Sequence, residues 1–520
     1  MAKGILSCRD VLWVLVFFGF AVNYMLRTNL NLTIVAMVKR HEEPAYKQAA
    51  AQCATVDYRT IDPWAKLSPK NDSWNESTTQ NSLSKISFPD DQYEWTEYDQ
   101  GLALGAYYWI HWVTQLPGGL LARRYGTKLV FGWGNLATAL LGILIPVFTR
   151  YHLYGLVSLR VLQGLISGVM WPSMHDMTAK WIPQNERGKF VSSYLGSSIG
   201  AAITYPLCAL CIDQYGWAAA FYASSVVGIV WYCFWYFLVF DTPQQHPRIS
   251  ETERDYILEK IGSSMIEEVR VDVPWRKILT SGPLWITTVA HWGGVWGFLT
   301  FMTEAPTYLT YVHGWNINAT GILSGLPHLL RMAFSYFFGI LSDWLLRTKR
   351  MSLTNVRKLA TFMCTGVQGL MTLGLGFSGC EPNLAIFFIM AGTAVNGAVS
   401  AGTLANLVDL SPNYASVLLG FAGLVTASAG FISPMIVGIL TNYNQTIGQW
   451  RLVFVIAAAN LGLSAVVYTI WGTSDEQPWN SAGKPIETNS EELQRLENKS
   501  RKNSESANTD NVDSPIVFSA

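Results

Sequence analysis

The chain has 520 residues, of which 50% are hydrophobic and only 14% are charged, and its mean hydropathy is +0.21. A soluble chain of this length needs far more charge to cover its surface, so the composition excludes that class and indicates a polytopic protein of the lipid bilayer. The 36 basic residues balance the 36 acidic ones and fall in loops rather than along one stripe, which argues against a nucleic-acid partner.

Apolar blocks long enough for a helix to cross the hydrocarbon core predict about twelve membrane spans. In the first half they lie near 11–37, 99–122, 128–148, 153–179, 189–211 and 217–240. In the second half they lie near 281–312, 317–345, 358–378, 383–408, 414–440 and 450–472. The first block is too long for a signal-peptide core, so we expect it to remain as a helix. The predicted fold class is all-α, with twelve transmembrane helices in two six-helix halves.

The spans divide the chain into regions of different composition. These are an amino-terminal half (1–240) with a long outer loop (38–98), a polar central loop (241–280), a carboxy-terminal half (281–472) and a tail (473–520). In the central loop, Ser250 and Glu253 have the spacing of a capping box, which predicts a short amphipathic helix. The tail is rich in Ser, Asn and Glu, a composition typical of disordered segments.

Basic residues predict the orientation in the membrane. Lys and Arg cluster in the loops after spans 2, 4 and 8, whereas the loops after spans 5, 7, 9 and 11 carry almost none. The positive-inside rule therefore predicts that both termini are cytoplasmic and that the long loop is outside or lumenal. That loop holds glycosylation sequons at Asn71 and Asn75, which agree with this side. Cys53 and Cys380 both fall in predicted outer loops, where they could form a bridge that the sequence alone does not establish.

A repeat appears where spans 2 and 8 end at the predicted cytoplasmic side. Gly119 is followed by Arg123 and Gly126, and Gly339 is followed four residues later by Asp343. Two six-helix halves with matching inner loops are the plan of a transporter that rocks about a central site. The loops resemble the GxxxDRxGR pattern of the major facilitator superfamily. The second copy retains the acidic residue of this pattern as Asp343, but Arg123 replaces it in the first copy. The resemblance therefore does not extend to the family's charge lock in the first copy.

Span 1 contains an arginine in the middle of an apolar helix. Asn23, Arg27 and Asn31 recur at i, i+4 and i+8 and predict one polar stripe. An intramembrane arginine must face a cavity or a partner, which makes Arg27 a candidate site residue. The alternatives are an arginine that reaches the outer headgroups and one that is locked in a structural ion pair.

Two further arginines lie within predicted spans. Arg160 in span 4 shares a helical face with Ser167 and His175, and Arg331 lies in span 8. Three arginines with few intramembrane acids predict a positive cavity, and guanidinium groups suit a carboxylate or phosphate anion. We therefore expect a small anionic substrate, with a purely structural role for Arg160 as the alternative.

Acids, histidines and a polar track are the candidates for coupling to a co-transported cation, Na⁺ or H⁺. They are His111, His175, His291, Glu304, Asn396 and Thr403. Histidine can carry protons near neutral pH, but hydrogen-bonded packing is the alternative for each of these side chains. A GxSxG match at 196–200 lies within span 5, without the strand–turn–helix context of a hydrolase. We expect that the protein is not an enzyme and that it has no metal site and no cofactor other than the co-transported ion.

Several stretches resemble the anion:cation symporter family, which includes sialin, the vesicular glutamate transporters and the sodium–phosphate cotransporters. They are "FFGFAVNYMLRTNLNLTIVAMV", "TQLPGG", "RVLQG", "WPSMH", "KWIPQNERGK", "HPRISETERDYI", "TEAPTYL", "VDLSPNYASVLLG" and "QPWN". The resemblance covers residues 8 to 479 and implies secondary transport of an anion driven by sodium, protons or membrane potential. It also implies that Arg27 and Arg160 hold the anion, and His175 matches the family's span 4 histidine.

Departures from the family bear on the substrate. Ser167 stands where sialin and the glutamate transporters have a glutamate, and Leu104 and Gly294 replace a histidine and an arginine of the glutamate transporters. Arg331 is an addition. These changes favour sodium-coupled symport of inorganic phosphate, with proton-coupled export of sialic acid or another acidic organic anion from lysosomes or vesicles as the alternative. A non-transporting receptor or a channel is disfavoured by the repeated halves.

The sequence shows no clear acidic dileucine signal, which favours the plasma membrane over a lysosomal or vesicular one. We expect a monomer.

Overall fold

The computed structural model describes residues 7–39, 92–183, 186, 190, 192–265 and 273–483. Among these residues the secondary structure is helical apart from one isolated bridge between Val38 and Tyr93, which joins the two ends of the outer loop. The predicted all-α fold class is confirmed. The sequons at Asn71 and Asn75 lie outside the described residues, as does Cys53. Cys380 is disulfide-bonded, and the other five described cysteines are free.

The first six spans are built from eight helices. They are Cys8–Met37 (span 1), Glu97–Ala106 and Gln115–Tyr125 (span 2), Thr127–Tyr151 (span 3), Leu153–Ser167 and Met170–Trp181 (span 4), Gly196–Tyr215 (span 5) and Trp217–Leu238 (span 6). Capping boxes begin spans 1 and 2, where Ser7 pairs with Asp10 and Thr96 with Asp99. A polar residue at each helix start therefore fixes where these two spans begin.

The second six spans follow a central loop that holds the helices Glu251–Met265 and Trp275–Leu279. They are Gly282–Tyr311 (span 7), Ile317–Arg347 (span 8), Leu353–Thr361 and Gln368–Gly376 (span 9), Pro382–Asn396 and Thr403–Leu410 (span 10), Ala415–Ala427 and Ala429–Thr441 (span 11) and Ile447–Trp471 (span 12). A π-helical turn, Phe362–Val367, joins the two parts of span 9. The π-turn and the helix break after Asn396 both lie beside the site described below.

Ten helices of the described chain are long and apolar enough to cross a membrane. The two other predicted spans are the most polar or irregular ones. Span 2 loses regular helix between its two parts, at 107–114. Span 7 is an unbroken helix of 30 residues, but it carries six threonines, His291 and Glu304. Both spans face protein rather than lipid over much of their length, which is why they tolerate polar residues.

Small residues bring the two halves together at the end predicted to be outside. A Cβ on Gly101 of span 2 would lie 2.5 Å from the carbonyl oxygen of Pro434 in span 11. Gly325 of span 8 packs in the same way on the backbone of Ala202 in span 5. Tyr443 also donates its backbone N–H to Glu97 Oε2 across the halves, at 2.9 Å. The outer ends of the two halves are therefore closed against each other.

The predicted cytoplasmic ends of spans 2 and 8 lack the close contacts of the outer side. A Cβ on Gly119 or Gly339 would meet no described atom within 4 Å, and Arg123 and Asp343 are exposed. Gly126 has φ +87°, a conformation that glycine adopts without strain, and it forms the tight turn between spans 2 and 3 beside the Asp241 carboxylate. The structure is thus closed on the outer side and open on the inner side.

The central-loop helix is docked on the start of span 1. Glu253 accepts hydrogen bonds from the backbone N–H groups of Cys8 (3.1 Å) and Arg9 (3.2 Å), and Arg9 also pairs with Glu186 at 2.6 Å. A carboxylate at a helix N-terminus satisfies donors that have no partner within the helix. Only half of the predicted capping box forms: Ser250 Oγ accepts from Glu253 N, but the glutamate carboxylate caps span 1 instead.

We expect Glu253→Gln to lower the free energy of unfolding by about 1–3 kcal/mol, because the variant loses charge-assisted bonds to span 1 and to Arg9. The unfolding temperature of the purified chain in detergent measures this. Glu251→Gln, an exposed change on the same helix, is the matched control. Equal unfolding temperatures for both variants would contradict the docking role.

Candidate functional site

Arg27 lies in an aromatic cage formed by spans 1 and 2. Its Nε donates to Tyr108 Oη at 2.9 Å. The guanidinium carbon lies 4.5 Å from the ring centroid of Tyr108, 5.1 Å from that of Tyr24 and 5.5 Å from that of Tyr107. Rings at these distances stabilise a cation through their quadrupoles. Within the described residues no carboxylate forms an ion pair with Arg27, which disfavours the structural ion pair considered from the sequence.

The terminal nitrogens of Arg27 remain available for a ligand. They make no hydrogen bond to any described residue, and the side chain is half-buried although it lies in the middle of span 1. An internal side chain that keeps partial exposure faces a water-accessible cavity rather than packed protein. A guanidinium in that position offers parallel N–H donors that match the oxygens of a carboxylate or phosphate.

Arg160 has a different environment, because both of its terminal nitrogens donate to protein, while its buried Nε has no partner among the described residues. It is 1% exposed. Its Nη2 donates to the carbonyl oxygen of Arg27 at 2.7 Å, and its Nη1 donates to the carbonyl of Leu26 at 3.2 Å and to Gln163 Oε1 at 3.1 Å. The face of Tyr107 covers the group, with its ring centroid 5.0 Å from the guanidinium carbon. These contacts support the structural alternative, in which Arg160 holds span 1 and positions Arg27.

Ser167 and His111 form a polar pair beside this cage. Ser167 Oγ lies 3.2 Å from His111 Nδ1, and the same ring nitrogen lies 3.0 Å from the carbonyl oxygen of Gly164. Gly164 leaves no space for a side chain, because its Cβ would overlap the Tyr107 backbone. Spans 2 and 4 are therefore in close contact here, and both His111 and Ser167 are satisfied within that contact.

Arg331 faces the cavity from the second half. Its Nε donates to Asn396 Oδ1 at 2.9 Å, its Nη1 donates to Ser198 at 3.4 Å, and its guanidinium lies 4.3 Å from the ring centroid of Phe298. Like Arg27 it is half-buried. Tyr24 lies close enough to interact electrostatically with both arginines. Both arginines therefore lie near Tyr24, in the region where the two halves meet.

Asn396 orients Arg331 and is itself held by its neighbours. Its Nδ2 donates to the carbonyl oxygen of Gly294 at 3.0 Å and to Gln368 Oε1 at 2.9 Å. The break in span 10 after Asn396 places this amide between spans 7, 8 and 9. The polar track predicted in span 10 thus supports the arginine at this position. Nearby, Thr403 contacts His291 Nδ1 at 3.0 Å, a hydrogen bond between spans 7 and 10.

The remaining predicted residues lie apart from Arg27. The Nδ2 of Asn23 contacts Met170 Sδ in the interior of the first half. Asn31 donates to the carbonyl oxygen of Met302 at 3.1 Å and so joins the outer parts of spans 1 and 7. His175 is exposed on the open inner side, and Glu304 is buried near the closed outer side.

Sequence reasoning did not single out the aromatic residues of the site. Tyr107 and Tyr108 lie where span 2 loses regular helix, and Phe298 lies in span 7. The available signal was a pair of tyrosines in the middle of a predicted span, next to a histidine. Aromatic residues are so common in membrane helices that this signal is weak without a cation known to lie opposite.

Comparison with known proteins agrees with this geometry. The sequence model of the Major Facilitator Superfamily matches residues 16–364. The chain is 34% identical to human sialin, over 91% of each chain, and 32% identical to vesicular glutamate transporter 1 of Xenopus laevis, over 93% of this chain and 77% of the relative. It is 31% identical to a putative inorganic phosphate cotransporter of Drosophila ananassae, over 90% of this chain and 93% of the relative.

Solved structures give the same fold at low sequence identity. An inward-facing bacterial homologue of the human lysosomal transporter Spinster has a TM-score of 0.62 at 12% identity, over 90% of this chain and 97% of that one. The sequence resemblance and the twelve-span fold lead to one conclusion. The chain belongs to the major facilitator superfamily, in the anion:cation symporter family of sialin and the vesicular glutamate transporters, and is a secondary transporter rather than an enzyme.

Proposed function

We propose that the chain is a sodium-coupled symporter of an anion, inorganic phosphate in particular, that works by alternating access. The observation that carries this proposal is the Arg27 guanidinium, which has free terminal donors in a half-buried cavity and no carboxylate partner among the described residues. An intramembrane positive charge in that state is stabilised by a bound anion.

Phosphate fits the arrangement of donors. We infer that its tetrahedral oxygens accept from Arg27 in the first half and from Arg331 in the second, whereas a single planar carboxylate satisfies one guanidinium fork. The Tyr108 hydroxyl, held by Arg27 Nε, is a further polar group at the same place. The similarity to a putative inorganic phosphate cotransporter of Drosophila ananassae supports phosphate.

The absence of an acid at Ser167 supports sodium over protons. Ser167 is paired with His111 and with the backbone, so this part of span 4 offers no carboxylate to carry a proton. The second candidate is proton-coupled export of sialic acid or another acidic organic anion, and the resemblance to sialin supports it. We place the sodium-coupled protein in the plasma membrane, whereas the second candidate belongs to lysosomes or vesicles.

Alternating access follows from the two ends of the molecule. The outer side is closed by glycine contacts and by the hydrogen bond from Asn31 to Met302, and the inner side is open. Separation of the outer contacts and approach of the inner ends would expose the same arginines to the other side.

We expect wild-type protein in liposomes to take up labelled phosphate faster under an inward sodium gradient than with sodium on both sides. Labelled glutamate and sialic acid are tested in parallel under imposed sodium and proton gradients. The physical reason is that a coupled ion supplies the free energy for concentrating the anion. Uptake of sialic acid driven only by a pH gradient would instead establish the second candidate.

We expect Arg27→Ala to lower phosphate uptake about 30-fold or more, since it removes charge-assisted bonds worth about 2–3 kcal/mol, while its unfolding temperature stays close to wild type. Arg160→Ala should lower the unfolding temperature as well, because it leaves bonds to the span 1 backbone unmade. Initial uptake rates and thermal unfolding measure the two effects. Arg248→Ala, an exposed change in the central loop, is the control. Normal uptake by Arg27→Ala would remove the central claim.

A further inference from the structure

A small cavity lies between the outer parts of the two halves, apart from the arginines. Its oxygen-bearing side chains come from spans 2, 7 and 11 and from the turn after span 11. They are Glu97, Gln100, Glu304, Thr307, Thr441 and Gln445. The first two belong to the amino-terminal half and the others to the carboxy-terminal half. The cavity has room for roughly one water-sized species.

Glu304 is the residue that calls for a ligand. It is 4% exposed, and its Oε1 has no hydrogen-bond partner among the described residues. A buried carboxylate oxygen without a donor is costly unless a cation or a proton occupies the space beside it. Glu97 lines the same cavity and is also 4% exposed, but its Oε2 accepts the backbone N–H of Tyr443. No lysine, arginine or histidine is among the residues that line the cavity.

We propose that this cavity binds the coupling Na⁺. This proposal rests on the proposed function, which is cation-coupled symport of an anion. The ligands on offer are carboxylate, amide and hydroxyl oxygens, the donors that hard cations prefer. Glu97 Oε2 already has a backbone donor, whereas Glu304 Oε1 has none, so we expect the cation beside Glu304. A monovalent ion of about the size of a water molecule fits the volume and supplies a positive partner for that oxygen.

The position of the cavity links ion binding to the conformation. Gly101 and Gly438 form the close contacts around it, so the cavity exists in this form only while the outer ends are together. Closing the outer side without an ion would bring Glu304 and Glu97 into one dry space as two like charges. Bound Na⁺ removes that repulsion and therefore favours the closed outer side.

The cavity also lies near the anion site. Tyr205 donates its hydroxyl hydrogen to the carbonyl oxygen of Met302, and it lies within electrostatic range of both Glu304 and Tyr108. Tyr108 is the phenol that bonds Arg27. Tyr205 is thus within electrostatic range of both the acidic cavity and the arginine cage, and two bound ions of opposite charge in these places would attract each other.

The test measures ion binding directly, without an anion. The unfolding temperature of the purified full chain is followed while NaCl replaces KCl at constant ionic strength. We expect a saturable, sodium-specific rise for the wild type, because a ligand of the folded state stabilises it by mass action. Glu304→Gln should raise the half-saturating sodium concentration about tenfold or more, a change of about 1.4 kcal/mol. Glu94→Gln, an exposed outer carboxylate paired with Lys39, should leave it unchanged.

A second variant keeps the test decisive if Glu304→Gln fails to fold. Thr307→Val removes one hydroxyl oxygen from the cavity at nearly constant volume and should also weaken the sodium effect. The proposal is overturned if both variants keep the wild-type sodium response, or if the wild type is stabilised by acidic pH and not by sodium. Sodium-driven phosphate uptake that survives Glu304→Gln would refute this site but leave the proposed function standing. A Glu304-dependent sodium effect without sodium-driven anion uptake would refute the proposed function but keep the site.

Discussion

The architecture depends on how two guanidinium groups are satisfied inside a membrane. Arg160 donates hydrogen bonds to the carbonyl oxygens of Leu26 and Arg27, so the backbone of span 1 stabilises its charge. These contacts fix the part of span 1 from which Arg27 projects, and the tyrosines of span 2 hold its side chain. Such bonds stabilise the buried charge of Arg160. The neighbouring Arg27 keeps terminal donors that are free to bind a ligand. Under the proposed function, Arg160 supports span 1 and Arg27 binds the anion.

The two ends of the molecule are built differently, and this difference sets what can move. The outer closure is made of glycine contacts between backbones and a few hydrogen bonds, such as the bond from Asn31 to Met302. Surfaces of this kind separate without unfolding a helix, because each half keeps its own hydrogen bonds. At the inner end, Glu253 joins the central-loop helix to span 1 within the same half. That bond can persist through the motion and keep the amino-terminal half rigid.

The sequence was sufficient for the fold class and its spans, because apolar length is a strong signal. It also predicted a site at Arg27, because a charge in an apolar helix is rare. It predicted one polar stripe on span 1, whereas the three side chains have different neighbours in the structure. Residues four apart on a helix differ by about 40° in direction, so side chains eight apart differ by about 80°. Asn23 and Asn31 therefore reach different neighbours from Arg27. The hydrogen bonds of Arg160 could not be predicted either, because every residue has a backbone carbonyl and the side-chain pattern does not indicate which one accepts.

The distribution of charge gives a physical reason for coupling. The region around Arg27 and Arg331 is positive, and the small outer cavity is acidic, with Glu304 lacking a partner on one oxygen among the described residues. Each region alone is unfavourable in a closed, low-dielectric interior, because an uncompensated charge there is poorly solvated. Under the two proposals above, an anion in the first region and a cation in the second would neutralise both. A conformation that closes the outer side around these groups would then be most stable when both ligands are bound, which is the condition for symport rather than leakage of either ion.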